Sequence, residues 1–168
     1  MKSTDIKTLL KSAVTRFLDV DADLLRAEAN ERSITHKFAE CLQSIVGYAW
    51  NVDCEYNRYG DEAKNIISEI VPLVGGTVST SEIKSKTVYP DIIVHKRGIT
   101  GPNLLVIEAK KDATSAERDA DSKKLRKIMQ LYDYKYAVFL NFITGIKPDV
   151  IVEFIPSEIG KFSDGIRP

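Results

Sequence analysis

A chain of 168 residues is the length of one domain, and it can bury a core without disulfide staples. Its 43% hydrophobic and 29% charged residues exclude a disordered polymer. Lys+Arg and Asp+Glu both number 24, so bulk positive charge is excluded as a way of holding nucleic acid, and a local basic patch is left open. Two cysteines are too few for a four-cysteine zinc or iron–sulfur site. Cys41 and Cys54 fall in apolar-patterned stretches and are expected as buried free thiols, which suits a reducing cytoplasm. Met1 to Phe17 lacks the pattern of a signal peptide, and no run approaches a membrane span. A cytoplasmic protein with no membrane partner is expected.

In chain order, Thr4 to Leu18 places Ile6, Leu9, Leu10, Val14, Phe17 and Leu18 at helical spacing. Asp19 to Asn30 is acidic and Ala-rich and reads as a short helical continuation or as a connector. A stronger helix is predicted from Glu31 to Ala49, capped by Asn30. Its stripe is Ile34, Phe38, Cys41, Leu42, Ile45 and Ala49. At 100° per residue Glu31 falls inside that stripe, an unusual place for an acid, while His36 and Glu40 fall opposite. Trp50 to Tyr56 alternates apolar and polar residues, the pattern of a strand. A helix is predicted for Asp61 to Leu73, a break at Gly75-Gly76, and a polar loop for Ser79 to Thr87. Tyr89 to His95 is a β-branched strand, Lys96 to Asn103 a turn, and Leu104 to Lys110 a near-continuous apolar strand suited to the middle of a sheet. Ser115 to Lys135 is a charged helix whose stripe runs through Ala120 or Asp121, Leu125, Ile128, Met129 and Tyr132. Tyr136 to Phe142 and Val150 to Phe154 are the last strands, and Ser157 to Pro168 is a polar tail. This order implies one sheet flanked by helices.

The chemistry concentrates on the hairpin of the two central strands. A turn centred on Lys96–Asn103 pairs residues whose numbers sum to about 199, which sets Asp91 opposite Glu108 at Cβ separations of roughly 4.5–5.5 Å. Lys110, two residues beyond Glu108, points to the same side of its strand. Two carboxylates so close repel unless something neutralises them. A divalent cation such as Mg²⁺, with Mn²⁺ as a substitute, does so through oxygen ligands. It also stabilises charge on a phosphoryl group and acidifies its water, and a nearby lysine can position that water. These are the parts of phosphodiester hydrolysis. Glu31 could add a further carboxylate.

Pro90-Asp91 followed by Glu108-Ala109-Lys110, each on a predicted strand, resembles the PD-(D/E)xK signature of the restriction-endonuclease-like nuclease superfamily. The helix–strand–strand–strand–helix–strand order over Glu31 to Phe142 is similar to that superfamily's core. NERSITHKFAECL and DCEYNRYG look like stretches of its small stand-alone bacterial members, a narrower likeness that implies no substrate. The resemblance implies an α/β fold with a mixed four- to five-stranded sheet and an extra N-terminal helix. It divides a single domain, 1–168, into an extension (1–30), a core (31–142) and a final strand with tail (143–168). It also implies a Mg²⁺-dependent endonuclease in which Asp91, Glu108 and the Ala109 carbonyl hold the metal, Glu31 supports it, and Lys110 assists the water. The long insertion at Asn57–Val88 departs from the shortest versions of the core.

Plainer readings stand beside these. Asp91, Glu108 and Lys110 could form a surface ion pair at a strand end. Glu31 could be a first-turn acid favoured by the helix dipole. Lys111, Lys123, Lys124, Arg126 and Lys127 make either a solvated helix face or phosphate contacts, with Lys111 and Lys124 as the candidates. Asp53, Glu55 and Arg58 read as an exposed strand face with a local ion pair, and Trp50 and Tyr48, Tyr56, Tyr132, Tyr134 and Tyr136 as core or boundary residues. Set against a nuclease on DNA, or less readily RNA, are an idle module that binds nucleic acid or a partner protein and a metallohydrolase of small phosphodiesters. For a nuclease this small, a homodimer or a separate targeting subunit is expected to supply recognition.

Overall fold

A computed structural model describes residues 3–56, 58–59, 62–63, 65–67, 85–87, 89–98 and 102–157. The elements in chain order are α1 (Ser3–Arg26), α2 (Glu31–Val46), a 3-10 turn (Gly47–Ala49), β1 (Asn51–Cys54), β2 (Arg58–Tyr59), β3 (Glu62–Ala63), β4 (Asn65–Ile67), β5 (Ser85–Thr87), β6 (Ile92–His95), β7 (Asn103–Lys111), α3 (Ser115–Tyr132), β8 (Tyr134–Ile143) and β9 (Asp149–Ile155). The protein is α/β. Five strands form one mixed sheet in the order β1-β6-β7-β8-β9, and β2-β3 and β4-β5 form two small ribbons. β7 and β8 pair in parallel and the other neighbours are antiparallel. The chain passes from β7 to β8 through α3, as parallel neighbours require a crossover.

Strand alternation sorts the core into two layers. Leu105, Ile107 and Ala109 of β7, with Ile92, Val94, Val138, Leu140 and Phe142, pack against α1 and α2. Val106, Ile93, Ala137 and Phe139 turn to the other face, under Leu125, Ile128 and Met129 of α3. Phe17, Phe38 and Phe142 meet at centroid distances of 5.7–5.8 Å and join both helices to the sheet. Burying each ring contributes about 2–3 kcal/mol. No described helix is long and apolar enough to cross a membrane.

Several expectations are revised. Of the two readings of Asp19 to Asn30, the helical continuation holds as far as Arg26, because Ala22 and Leu25 prolong the buried stripe of α1. On α2, Asn30 caps as predicted, its side chain accepting the Ser33 N–H at 2.9 Å. Ile45 is exposed, however, and Ala49 lies exposed in the 3-10 turn, since the helix has by then run past the sheet. Tyr48 is fully exposed and not a core residue, and Cys54, at the end of edge strand β1, is exposed and not buried. The helix expected over Asp61 to Leu73 is overturned at 62–63 and 65–67, which are strands, as is 85–87 in the expected loop. The rest of those two stretches and the tail beyond 157 lie outside the described residues.

Candidate active site

The hairpin register is the one the turn implies. Ile92 pairs with Ile107, Ile93 with Val106 and Val94 with Leu105, and the register shifts only beyond Val94, where His95 meets Asn103. Extended one residue, it sets Asp91 across from Glu108. Pro90 has no N–H to donate to the ladder, and the contact across this end is made by the Asp91 side chain, which supplies an acceptor. Asp91 Oδ2 accepts the Ala109 N–H at 2.8 Å, and the Asp91 carbonyl accepts the Glu55 N–H at 3.2 Å. The Asp91 carboxylate is thereby fixed against the Glu-Ala-Lys segment.

Glu108 shares the α3-facing side of β7 with Val106 and is 1% exposed. Its Oε2 accepts from Lys124 Nζ at 2.6 Å, while its Oε1 is buried with no hydrogen-bond partner among the described residues. Burial, and then the charge of Asp91, push the Glu108 carboxyl up to about 8, against the pull of Lys124. Burial also raises Asp91, although the Ala109 N–H and Lys110 oppose it. At Lys110 burial favours the neutral amine, but Glu31, Asp91 and Asp121 outweigh it and raise the pKa, so the group stays an ammonium.

Glu31 opens α2 and is half-buried, not inside the core stripe. Its Oε1 lies 3.3 Å from Lys110 Nζ, and its Oε2 accepts the Lys111 N–H at 2.9 Å. It therefore bridges α2 to the end of β7 and orients Lys110. Lys111 Nζ reaches the Glu28 carbonyl at 3.3 Å, so Lys111 and Lys124 both hold protein oxygens in this state.

Sequence reasoning missed Asp121 as a member of this site. It lies on α3 three residues before Lys124, on the face toward the sheet, and its Oδ2 is buried without a partner among the described residues. Burial raises its carboxyl, and Lys110, Lys124 and Glu31 are its charged neighbours. The signal was an acid at a position of the apolar stripe of α3. A capping box, in which Thr114 accepts the Glu117 N–H and Glu117 the Thr114 N–H, starts α3 immediately after β7.

Glu31, Asp91, Glu108 and Asp121 are four carboxylates facing two ammonium groups, Lys110 and Lys124. Fully ionised, the group is two negative charges in excess, the charge of one divalent cation. Among the described residues no three His, Cys, Asp or Glu side chains gather closely enough to enclose an ion. Mg²⁺ does not need that, because it keeps several waters and takes one or two carboxylates. The unpartnered Glu108 oxygen and the Asp91 carboxylate across the hairpin are donors of the kind such an ion takes, whereas Glu31 is turned to Lys110. Beside the site a cavity of about 1220 Å³ lies between α1, the start of α2 and the end of β1. Asn30, Glu31, Arg32, His36, Lys37 and Asp91 are among its lining residues.

Asp53 corrects another expectation: it is 13% exposed and is no solvated face. It pairs with His95 and Arg97, while Glu55 pairs separately with Arg32 at 2.9 Å. Trp50 packs on the core beneath Lys96, and Tyr56, Tyr132, Tyr134 and Tyr136 are core or boundary residues as expected. No protein-family model, curated protein or solved structure matches this chain.

Proposed function

We propose that this protein is a Mg²⁺-dependent nuclease of restriction-endonuclease-like fold that hydrolyses phosphodiester bonds in DNA. The observation that carries the reading is Glu108: a carboxylate 1% exposed, with one oxygen unpartnered, opposite Asp91 and two residues from Lys110. Leaving a buried carboxylate oxygen unsatisfied costs about 1–3 kcal/mol or more, a cost that persists where function needs the group. The order α2, β1, β6, β7, α3, β8, with β8 parallel to β7, supports the fold assignment.

Asp91, Glu108 and the Ala109 carbonyl would hold the ion. When bound, it supplies charge neutralisation at the phosphate and a more acidic water. Lys110, kept protonated by its acidic neighbours, is a donor and not a base: it orients the attacking water and faces the charge that develops on the phosphoryl oxygens. Glu31 fixes the Lys110 ammonium by the bridge at 3.3 Å. The cavity that reaches Asp91 gives a strand room to approach. DNA is placed ahead of RNA on the resemblance. A second copy or a targeting subunit would supply recognition.

A second reading, a binding module without catalysis, is favoured by the Lys124–Glu108 and Lys110–Glu31 bridges, which partly neutralise the carboxylates without any ion. Cleavage assays with Mg²⁺ and Mn²⁺ on single-stranded, double-stranded and branched DNA and on RNA separate the two. Glu108→Ala and Lys110→Ala are expected to lower metal-dependent cutting at least about 100-fold. Cutting that survives both substitutions sinks the nuclease reading. No cutting by wild type, together with Mg²⁺ uptake that Asp91→Ala does not alter, favours the binding module.

A further inference from the structure

We infer that Lys124 is a tethered competitor for the cation at Glu108, and that Asp121 receives its ammonium when a cation takes that carboxylate. This rests on the metal reading proposed above.

Three observations carry it. Lys124 Nζ sits 2.6 Å from Glu108 Oε2, so the buried carboxylate already has a positive partner. One oxygen of that carboxylate remains unpartnered in a residue that is 1% exposed, so the seat is only half filled. Asp121, three residues earlier on the same helix face, offers a buried oxygen that also lacks a partner. Residues three apart on a helix are neighbours at about 5–6 Å. A rotation of the flexible lysine stem therefore carries its ammonium from one acid to the other while α3 stays in place. The Tyr89 carbonyl, 3.4 Å from Nζ, is a weaker second contact that holds the side chain in its first position.

Electrostatics supplies the exchange. A divalent ion and an ammonium on one buried carboxylate repel each other strongly where water screens little. The ion holds Glu108 more tightly, and the displaced ammonium satisfies the Asp121 oxygen left bare before. The metal-free protein is then a closed form of the site, and cation affinity is reduced by the fraction of time the seat is open. Lys124 costs affinity and Asp121 restores part of it, an arrangement in which the site takes up its ion only when the ion's activity is high enough.

Mn²⁺ binding to the intact protein, followed by calorimetry and by the spin-resonance signal of free Mn²⁺, tests this with wild type, Lys124→Gln, Asp121→Asn, the double variant and Glu108→Gln. Lys124→Gln should bind about tenfold more tightly, as expected if the seat is open about a tenth of the time. Asp121→Asn should bind several-fold more weakly, and that loss should vanish in the Lys124→Gln background. A general field effect of the Asp121 charge would persist there instead, and its persistence overturns the exchange. Wild-type binding that Glu108→Gln removes but Lys124→Gln leaves unchanged or weakens also overturns the inference, and the metal reading survives. Absence of Mn²⁺ uptake by both wild type and Lys124→Gln overturns both. Uptake by Lys124→Gln alone supports the inference in its strongest form. Metal-free melting curves check that each variant folds. On wild type itself, the Lys124 side-chain NMR signals should shift on adding Mg²⁺, and fixed signals at saturating Mg²⁺ reject the exchange.

Discussion

The two ends of β6 both bury charge, and they do so in opposite states. At its C-terminal end, His95 and, just beyond the strand, Arg97 hold Asp53 of neighbouring β1, which is 13% exposed and has both oxygens engaged: Oδ2 lies 2.8 Å from His95 Nε2 and 2.8 Å from Arg97 Nε, and Oδ1 meets the second arm of the guanidinium. Burial alone would raise that carboxyl, but Arg97 and His95 prevail and hold it below the usual range. The Tyr56 ring lies 4.8 Å from the His95 ring and closes the cluster. At the N-terminal end, Asp91, Glu108 and Asp121 are all raised and two of their oxygens have no partner. One cluster is complete and contributes to holding β1 on the sheet. The other leaves two buried carboxylate oxygens without partners among the described residues, the kind of perturbed cluster that marks a candidate functional site.

Removing the acid at each end sharpens the contrast. Asp53→Ala leaves His95 buried without its carboxylate and should cost about 2–4 kcal/mol in urea unfolding, with Mn²⁺ affinity unchanged. A loss below about 0.5 kcal/mol would show that cluster to be ornamental. Glu108→Gln should act in the reverse direction on stability. The Glu108 pKa rises from 4.5 toward about 8 on folding, so the folded state holds the extra proton in that window. Its contribution is therefore complete below 4.5 and lost as pH rises toward about 8. Metal-free Glu108→Gln should be roughly 1–3 kcal/mol more stable than wild type at pH 8, with a flatter pH profile between 5 and 8. A wild-type profile already flat there contradicts the shift. Asp53, with its lowered pKa, has the opposite sign: its contribution is present above 3.8 and lost as pH falls below that. The smallest effect is at α3, where Thr114→Ala removes the capping box and should cost about 1 kcal/mol in thermal unfolding.

The better part of the sheet was legible because its signals are local. Two apolar strands on either side of a Gly- and Pro-containing turn leave one register that buries both, and that register by itself sets Asp91 opposite Glu108. Asn30 as a cap and the α3 stripe were equally near in sequence. The Asp53–His95 pair was not legible, because its members are 42 residues apart and on strands whose pairing the intervening segment conceals. Asp121 was visible as an acid on an apolar stripe, but its meaning needed the packing of α3 over Glu108. The exposure of Ile45, Ala49, Tyr48 and Cys54 depends on where α2 and β1 run past their neighbours, which helical and strand periods do not encode.

The bridge from Glu31 to the end of β7 spans 79 and 80 residues, whereas Asp91 meets Ala109 across 18 and Glu108 meets Lys124 across 16. Closing short loops is entropically cheaper and faster than closing long ones. The hairpin and α3 can therefore assemble their part of the site as a local unit during folding. Glu31 arrives only when α2 docks, and its arrival immobilises the Lys110 ammonium. A partly folded chain would then carry Asp91, Glu108 and Asp121 in position with an unanchored Lys110, so the site is complete only once that long-range contact has formed.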